Sequence, residues 1–192
     1  MQKIIKLIKE QEIKFVDFRF TDPKGKWQHL SYNANIIDKK LLSEGVLFDG
    51  SSIAGWQDIN KSDMLIKPDL SSYMVDPFTP YPTLIIFCDI YSPDTQKGYE
   101  LDPRHTAILA EEYLKDSKIA DTAYFGPELE FFVFDDVKFK NENYHSFYSV
   151  DSAEHPVNSA KELAEGNLGH RPKMKGGYFP VPPVDSAFDL RS

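Results

Sequence analysis

One aspartate lies in a sequence context that would let it bind a cation. Asp49 belongs to the segment Phe48-Asp-Gly-Ser-Ser52, beside a glycine and two hydroxyl residues, and Trp56 follows shortly after. The two glycines near Asp49 and Trp56 let the backbone adopt positive φ, so residues 48–60 are predicted to form a tight loop. An aspartate with neighbouring hydroxyls and an aromatic side chain suits a small cation or a polar substrate, but the same residue types also build ordinary turns. The residues alone leave both interpretations open.

Two glutamates form a second candidate site. Glu128 and Glu130 alternate with apolar residues in an aromatic segment, residues 121–135, that is predicted to be a long strand. Residues i and i+2 of a strand lie on one face, roughly 6.6 Å apart. Two carboxylates on one face repel each other unless a cation is near, and oxygen ligands suit Mg²⁺ or Mn²⁺. A solvent-facing pair on an edge strand fits the pattern equally well, and a metal would need further ligands from elsewhere.

A glycine-rich, polar segment leads into a second aromatic stretch, Lys175-Gly-Gly-Tyr-Phe-Pro180. It lacks the Gly-Lys-Ser/Thr sequence of a phosphate-binding P-loop. Tyr178 is compatible with a core position as well as with a site. The histidines have no metal-ligand spacing and no serine lies in a Gly-x-Ser-x-Gly motif, so hydrolase chemistry finds no support.

Composition and charge narrow the class of protein. The chain has 192 residues, of which 41% are hydrophobic and 27% charged, as in soluble globular proteins. A net charge of −8 and a pI near 5.1 argue against nucleic-acid binding. The single cysteine, Cys88, lies in an apolar run and is predicted to be a buried strand residue, in a reducing, cytoplasmic setting. No apolar run is long enough to span a membrane.

Apolar periodicity predicts the elements that must position these side chains, and together they form a small α+β domain ending near residue 96. The basic, amphipathic N-terminal helix is expected to pack on this domain rather than on a membrane surface. The predicted elements are a helix over residues 1–11, strands over 13–20 and 27–32 in a hairpin, a helix over 36–44 ended by Gly45, short strands near 64–66 and 73–75, and a strand over 83–90.

A second domain is predicted to begin near residue 103. Asp102 caps a helix that has Pro103 at its first position. The 121–135 strand, a hairpin over 136–148 and a long loop over 151–176 follow. The chain ends at Asp185–Ser192 with what reads as the first turn of a helix that Ser186 could cap. These elements would form only a thin core, so we expect the chain to be cut short.

Three long motifs, in order, resemble bacterial type I glutamine synthetase. They are Phe48-Asp-Gly-Ser-Ser52 with the later Lys61-Ser-Asp63, then Phe125-Gly-Pro-Glu-Leu-Glu-Phe-Phe132, then Lys175–Ser186. The resemblance implies an N-terminal β-grasp domain at residues 12–96, preceded by the 1–11 helix. It also implies the truncated start of the family's α+β catalytic domain at residues 103–192.

The resemblance implies an ATP-dependent ligase of nitrogen assimilation. Such enzymes join ammonia to the side-chain carboxylate of L-glutamate through a γ-glutamyl phosphate, giving glutamine, ADP and phosphate, with two or more Mg²⁺ or Mn²⁺ ions per site. Glu128 and Glu130 match metal ligands, and Asp49 matches the aspartate that helps to bind and deprotonate ammonium. The remaining matches are Ser52 and Tyr178, which would line the ammonium pocket, and Trp56, which would lie near the nucleotide site of a neighbouring subunit.

The resemblance also implies assembly as a homo-oligomer, a dodecamer of two stacked hexameric rings, with no nucleic-acid or membrane partner. Each active site would form between one subunit's N-terminal domain and the next subunit's catalytic domain. The sequence departs from the family pattern at Leu129, where a proline is usual, and in residues 153–158, which lack an expected tryptophan. The remaining metal ligands and the nucleotide-binding motif would lie after Ser192.

Two alternatives remain open at this point. The 192 residues alone could be an inactive association module that lacks the ATP site and most metal ligands. A weaker alternative is a stand-alone binder of divalent metal, which would require tight binding by Glu128 and Glu130 alone.

Overall fold

The structure is a computed structural model of the chain, and it describes residues 1–152, 155, 176–177, 179–185 and 187–192. It divides into two compact units, Met1–Phe125 and Gly126–Ser192. Among the described residues, no helix is both long enough and apolar enough to cross a membrane.

The first unit is built on a mixed sheet of five strands in the order β2-β1-β5-β4-β3. Strand β1 is parallel to β5, and the other neighbours are antiparallel. The strands are β1 (Phe15–Thr21), β2 (Trp27–Asn33), β3 (Val46–Asp49), β4 (Asp63–Val75) and β5 (Thr83–Tyr91). The helices of this unit are α1 (Gln2–Glu10), α2 (Lys39–Glu44) and α3 (Pro103–Asp116), with 3₁₀ turns at Ala34–Ile36, Gly50–Ser52 and Ile59–Lys61. The predicted α+β class is confirmed.

Alternation along β1 and β5 creates the core. Val16 and Phe18 on β1 have no exposed surface, and they pack with Ile86 on β5. Helix α1 inserts Ile4 into the same cluster, which confirms that the amphipathic helix packs on the domain. Cys88 is fully buried in β5, as predicted, and burial raises the pKa of its thiol. A thiol of that kind is unreactive at neutral pH.

The predicted helix over residues 36–44 forms as an α-helix only from Lys39 onwards. Asp38 has an extended backbone and its carboxylate accepts a hydrogen bond from the Leu41 N–H at 2.7 Å, so α2 begins after Asp38. Aspartate at this position favours a cap over a helix interior, which explains the late start. Gly45 ends α2 with φ of +86°, and its N–H donates to the Leu41 carbonyl at 2.9 Å. The predicted stop at Gly45 is confirmed.

Strand β4 unites the two short strands predicted near 64–66 and 73–75. Its pairing with β5 is regular at both ends and shifts between Pro68 and Tyr73. Proline has no N–H to donate, and the Ser71 N–H donates to the Asp69 carboxylate instead of to a neighbouring strand. Because of this interruption, the sequence pattern predicted two short strands where the structure has one.

Helix α3 is tied to the sheet through its cap. As predicted, Asp102 caps the helix, accepting a hydrogen bond from the Arg104 N–H at 3.0 Å. The other carboxylate oxygen accepts from the Ile90 N–H on β5 at 2.9 Å. Burial raises the pKa of Asp102 despite these two donors. The Arg104 guanidinium donates to Asp89 at 2.7 Å and to Asp69 at 2.8 Å.

The second unit contains the predicted hairpin, formed by β6 (Asp136–Glu142) and β7 (His145–Asp151), and a short helix α4 (Phe188–Arg191) near the end of the chain. Ser186, the predicted cap of that helix, lies outside the described residues, as does most of the predicted 151–176 loop.

The predicted strand over residues 121–135 is wrong for this structure, because residues 122–134 belong to no helix or strand. An extended segment becomes a strand only when its N–H and C=O groups pair with a neighbour, and within the described residues no strand pairs with this one. Its aromatic side chains are largely exposed, with Tyr124 at 94% and Phe125 at 90%.

Candidate functional site

The turn after β3 presents Asp49 to solvent. Asp49 is the last residue of β3 and caps the 3₁₀ turn Gly50–Ser52. One oxygen of its carboxylate accepts hydrogen bonds from the Ser51 N–H at 2.9 Å and from the Ser51 hydroxyl at 2.6 Å. The Ser51 hydroxyl, followed by its N–H and the Ser62 hydroxyl, lowers the pKa of Asp49 below its ordinary value. Asp49 is therefore an exposed, ionised carboxylate at neutral pH.

The two glycines of this loop serve different purposes. Gly55 has φ of +85°, as predicted. The expectation of positive φ at Gly50 is wrong, because positive φ occurs there only at Gly55. Gly50 instead permits close packing: its N–H donates to the Ser62 carbonyl at 2.7 Å, and a Cβ would lie 2.6 Å from Cγ of Met64. The lack of a side chain at Gly50 therefore lets the turn pack closely against β4.

A second carboxylate lies directly across the ladder from Asp49. Asp63, the first residue of β4, is the register partner of Asp49, and both side chains are exposed. Like charges opposite each other in an antiparallel pair are destabilising, and a bound cation would relieve the repulsion. No basic side chain among the described residues forms an ion pair with either aspartate. No role for Asp63 could be predicted from the sequence, because its position opposite Asp49 depends on the register in which β3 and β4 pair.

Ser52 closes the 3₁₀ turn and is exposed, three residues from Asp49 on the same loop. The Ile53 N–H donates to the Gly50 carbonyl at 3.1 Å and fixes the end of the turn. The hydroxyl of Ser52 is therefore on the same surface loop as the Asp49 carboxylate. A role for Ser52 in an ammonium pocket remains a prediction.

Trp56 packs into the first unit and does not project from it. Its side chain is only 4% exposed and stacks on Phe20 with ring centroids 5.4 Å apart and an interplanar angle of 24°. Phe48 and Tyr99 complete an aromatic cage at 5.8 and 5.6 Å. The Tyr99 hydroxyl donates to the Trp56 carbonyl. The indole N–H is the one buried side-chain polar atom of the described residues without a hydrogen-bond partner. Contact with a neighbour's nucleotide remains a prediction.

Glu128 and Glu130 are both exposed in the segment 122–134, within the second unit. The rings of Phe132 and Phe134 stack at 6.0 Å, so alternate side chains further along this segment lie on one side. Carboxylate oxygens are the donors that Mg²⁺ and Mn²⁺ prefer, and the pair fits such an ion chemically. Within the described ranges, no group of three or more His, Cys, Asp or Glu side chains could hold a metal.

Tyr178, the last of the predicted site residues, lies outside the described residues. Of the others, Asp49, Ser52 and Trp56 share one loop of the first unit. The two glutamates belong to the second unit.

Comparison with known families defines the class to which this fold and these residues belong. The model of the glutamine synthetase β-grasp domain matches residues 12–93, and the model of the glutamine synthetase catalytic domain matches residues 100–192. The chain belongs to the glutamine synthetase family.

Individual relatives agree with this membership. The glutamine synthetase of Rhizobium meliloti (strain 1021) is 54% identical over 190 residues, covering 99% of this chain and 40% of that protein. The enzyme of Methylococcus capsulatus is 56% identical over 189 residues, with 98% and 40% covered. A cryo-EM structure of Plasmodium falciparum glutamine synthetase superimposes with a TM-score of 0.78 at 26% identity, covering 99% of this chain and 38% of that one. The chain thus spans about 40% of the length of the curated relatives it matches.

Proposed function

We propose that the protein containing this chain is a glutamine synthetase that joins ammonia to the side-chain carboxylate of L-glutamate at the expense of ATP, through a γ-glutamyl phosphate. The observation that carries this proposal is the ordered match to both domains of the family over nearly the whole chain. Because the chain spans about 40% of its relatives, the activity is proposed for the complete enzyme. We place the β-grasp domain at residues 12–96 and the catalytic domain from residue 103.

Asp49 is proposed to bind ammonium and to take a proton from it. Its carboxylate is exposed and ionised, and it lies opposite the second negative charge of Asp63. Two neighbouring carboxylates attract a small cation, and a carboxylate within hydrogen-bond reach of ammonium can accept its proton. A proton passes from the ammonium nitrogen to a carboxylate oxygen, and the freed nitrogen lone pair attacks the carbonyl carbon of the γ-glutamyl phosphate. The C–N bond forms as the C–O bond to phosphate breaks, phosphate leaves with the electron pair, and the nitrogen loses a second proton to give the amide. Ser52 and Tyr178 are proposed to line this pocket as hydrogen-bonding groups.

Glu128 and Glu130 are proposed to hold divalent metal, with further ligands supplied elsewhere in the complete enzyme. Bound Mg²⁺ or Mn²⁺ would neutralise charge that builds up on the transferred phosphoryl group. The carboxylates of this chain contribute by fixing the ion through oxygen ligands. Trp56 is proposed to act near the nucleotide, and its burial means that the loop must change if the indole itself is to make that contact.

The complete enzyme is proposed to be a cytoplasmic homo-oligomer, a dodecamer of two hexameric rings. An exposed acidic turn fits an arrangement in which one subunit's β-grasp domain serves its neighbour's catalytic domain. The single, buried cysteine fits a reducing compartment.

The test is glutamine formation from glutamate, ammonium and ATP by the full-length enzyme, followed by the same assay on Glu128→Gln and Glu130→Gln. We expect each substitution to raise the Mn²⁺ or Mg²⁺ concentration needed for half-maximal activity by about tenfold or more, since each removes a charged ligand. A full-length enzyme that forms no glutamine under any metal condition would refute the proposal.

A second candidate concerns the 192 residues alone, which we propose act only in association. The observation that favours it is the coverage of about 40% of the relatives' length. The separate chain should form no glutamine, and calorimetric titration with Mn²⁺ should detect no tight binding. Turnover at the rate of the full-length enzyme would contradict this candidate, whereas tight Mn²⁺ binding would favour a stand-alone metal binder.

A further inference from the structure

Among the described side chains of the loop from Gly50 to Ser62, Trp56 is the buried hydrophobic residue, and Ile53 packs against the same core while partly exposed. The two ends of the loop are fixed by the β3–β4 ladder, where Asp49 pairs with Asp63. Between those ends, the Trp56 indole is the loop's buried hydrophobic anchor, and it inserts into the aromatic cage already described.

Trp56 makes one hydrogen bond across the fold, at its carbonyl. Within the part of the chain that the structure describes, its indole N–H is buried without a hydrogen-bond partner, which is unfavourable for the docked state. The Trp56 carbonyl accepts from the hydroxyl of Tyr99, 43 residues away in the sequence. The Tyr99 bond therefore opposes the cost of the unpaired indole N–H.

Tyr99 is itself rigidly placed. Its side chain is 6% exposed, its N–H donates to the Ile90 carbonyl on β5 at 2.8 Å, and its carbonyl accepts from the Asp102 N–H at 3.0 Å. It lies between the ranges matched by the two family models, 12–93 and 100–192. The residue thus joins the end of β5, the cap of α3 and the middle of the loop.

We propose that Tyr99 is a positioning residue that sets the conformation of the Ser52–Trp56 part of the Gly50–Ser62 loop, because its hydroxyl donates a hydrogen bond to the Trp56 carbonyl. The inference rests on the proposed function, because it assigns Tyr99 a role in presenting that loop to substrate. Since Asp49 is fixed independently by the β3–β4 ladder, Tyr99 acts on the end of the 3₁₀ turn at Ser52 and on the residues that follow it, and not on the Asp49 carboxylate itself.

The experiment uses Tyr99→Phe, which keeps the ring in the cage and removes only the hydroxyl. The matched control is Tyr91→Phe, a partly buried tyrosine of β5 whose ring lies over the Lys67 ammonium rather than against the loop. Loss of one hydrogen bond should speed amide hydrogen exchange of residues 53–57 by about fivefold to tenfold, with β1 and β5 unchanged. In a Trp27→Phe background, Trp56 fluorescence should become more accessible to acrylamide.

A purely structural tyrosine would not alter substrate affinity selectively, so kinetics supply the second measurement. In the full-length enzyme, Tyr99→Phe should raise the KM for ammonium by about threefold to tenfold, with the KM for glutamate unchanged, and Tyr91→Phe should change neither. Unchanged loop exchange would overturn the inference. Faster exchange with an unchanged ammonium KM would also overturn it and leave Tyr99 as a core residue.

The failure of the proposed function has a different signature. If Asp49→Asn leaves the ammonium KM unchanged, the ammonium site is misplaced, and the positioning role falls with it even when loop exchange responds to Tyr99→Phe. If Asp49→Asn raises the ammonium KM while Tyr99→Phe changes neither loop exchange nor that KM, only the inference about Tyr99 fails.

Discussion

Two Asx-turns of the first unit, in which an aspartate oxygen accepts from the N–H two residues on, have the same local chemistry and opposite surroundings. One follows β3, and the other lies within β4 where its pairing with β5 shifts. In Asp49-Gly-Ser51 and Asp69-Leu-Ser71, one aspartate oxygen accepts from the serine N–H at 2.9 Å and from the serine hydroxyl at 2.6 Å. The pKa of both aspartates is lowered. Local sequence therefore builds the same ionised turn twice.

The turns differ in what the rest of the fold supplies. Partial burial would raise the pKa of Asp69, but hydrogen bonds from Ser71 and the charge of Arg104 together keep it low. Arg104 pairs with both Asp69 and Asp89, so the Asp69 turn has a counter-charge within the fold. Asp49 has no basic partner among the described residues and lies opposite a second carboxylate, Asp63. A carboxylate paired within the fold stabilises structure, and an unpaired one is available to a cation from solvent.

The largest expected effect comes from removing the internal cation. Arg104→Met should lower the free energy of unfolding by about 2 kcal/mol, because it leaves two partly buried carboxylates without a counter-charge. Urea denaturation followed by circular dichroism measures this change. Lys40→Met is the control: Lys40 pairs with Glu44 at 3.9 Å on the surface, and its loss should cost about 0.5 kcal/mol or less. If Arg104→Met and Lys40→Met lowered the free energy of unfolding equally, the counter-charge from Arg104 would not distinguish the Asp69 turn from the Asp49 turn.

The next effect tests how the Asp49 turn packs. Gly50→Ala should lower the free energy of unfolding by about 1 to 2 kcal/mol, because the added Cβ would lie 2.6 Å from Cγ of Met64 and 3.2 Å from the Ser62 carbonyl oxygen. The same denaturation experiment measures it. Gly126→Ala, where a Cβ meets nothing within 4 Å, is the control and should leave the unfolding of the first unit unchanged. If Gly50→Ala left the free energy of unfolding unchanged, the turn would not lie against β4 as described.

Much of the first unit could be predicted because short-range rules decided it. Alternation fixed β1, and the Asp102-Pro103 pair fixed the start of α3. Asp38 shows how a local cap can shorten a helix that apolar spacing alone would extend.

Other features could not be predicted because they depend on distant partners. The burial of Trp56 requires Phe20 and Tyr99, which lie far from it in the sequence. The segment containing Glu128 and Glu130 has the pattern of a strand, yet pairing decides whether a strand forms, and none of the described strands pairs with it. The difference between Asp49 and Asp69 likewise depends on Arg104, which the sequence around either turn does not reveal.

The smallest effects sharpen the electrostatic comparison. Ser51→Ala should raise the pKa of Asp49 towards its ordinary value of about 3.9, and Ser71→Ala should raise that of Asp69 by less, because Arg104 remains. Carbon-13 NMR titration of the carboxyl carbons measures both. A larger rise at Asp69 than at Asp49 would contradict this comparison.

The same titration fixes the direction of the pH dependence. Since the folded-state pKa is lowered at both aspartates, each contributes stability above the unfolded-state pKa of about 3.9. That contribution is lost as the pH falls through the folded-state pKa. Each serine variant should therefore be less stable than the parent chain at neutral pH, and the difference should vanish in acid.

The most direct test compares Asp49→Asn with Asp69→Asn in the full-length enzyme, measuring kcat/KM for ammonium and the urea midpoint of each. We expect Asp49→Asn to lower kcat/KM for ammonium by about a hundredfold or more with a nearly unchanged urea midpoint, since it removes a proposed base and cation ligand. We expect the reverse for Asp69→Asn: a lower urea midpoint, with kcat/KM within about threefold of the parent enzyme. An unchanged kcat/KM for ammonium in Asp49→Asn, or a larger loss of kcat/KM in Asp69→Asn, would show that the turn at Asp49 does not bind the ammonium substrate.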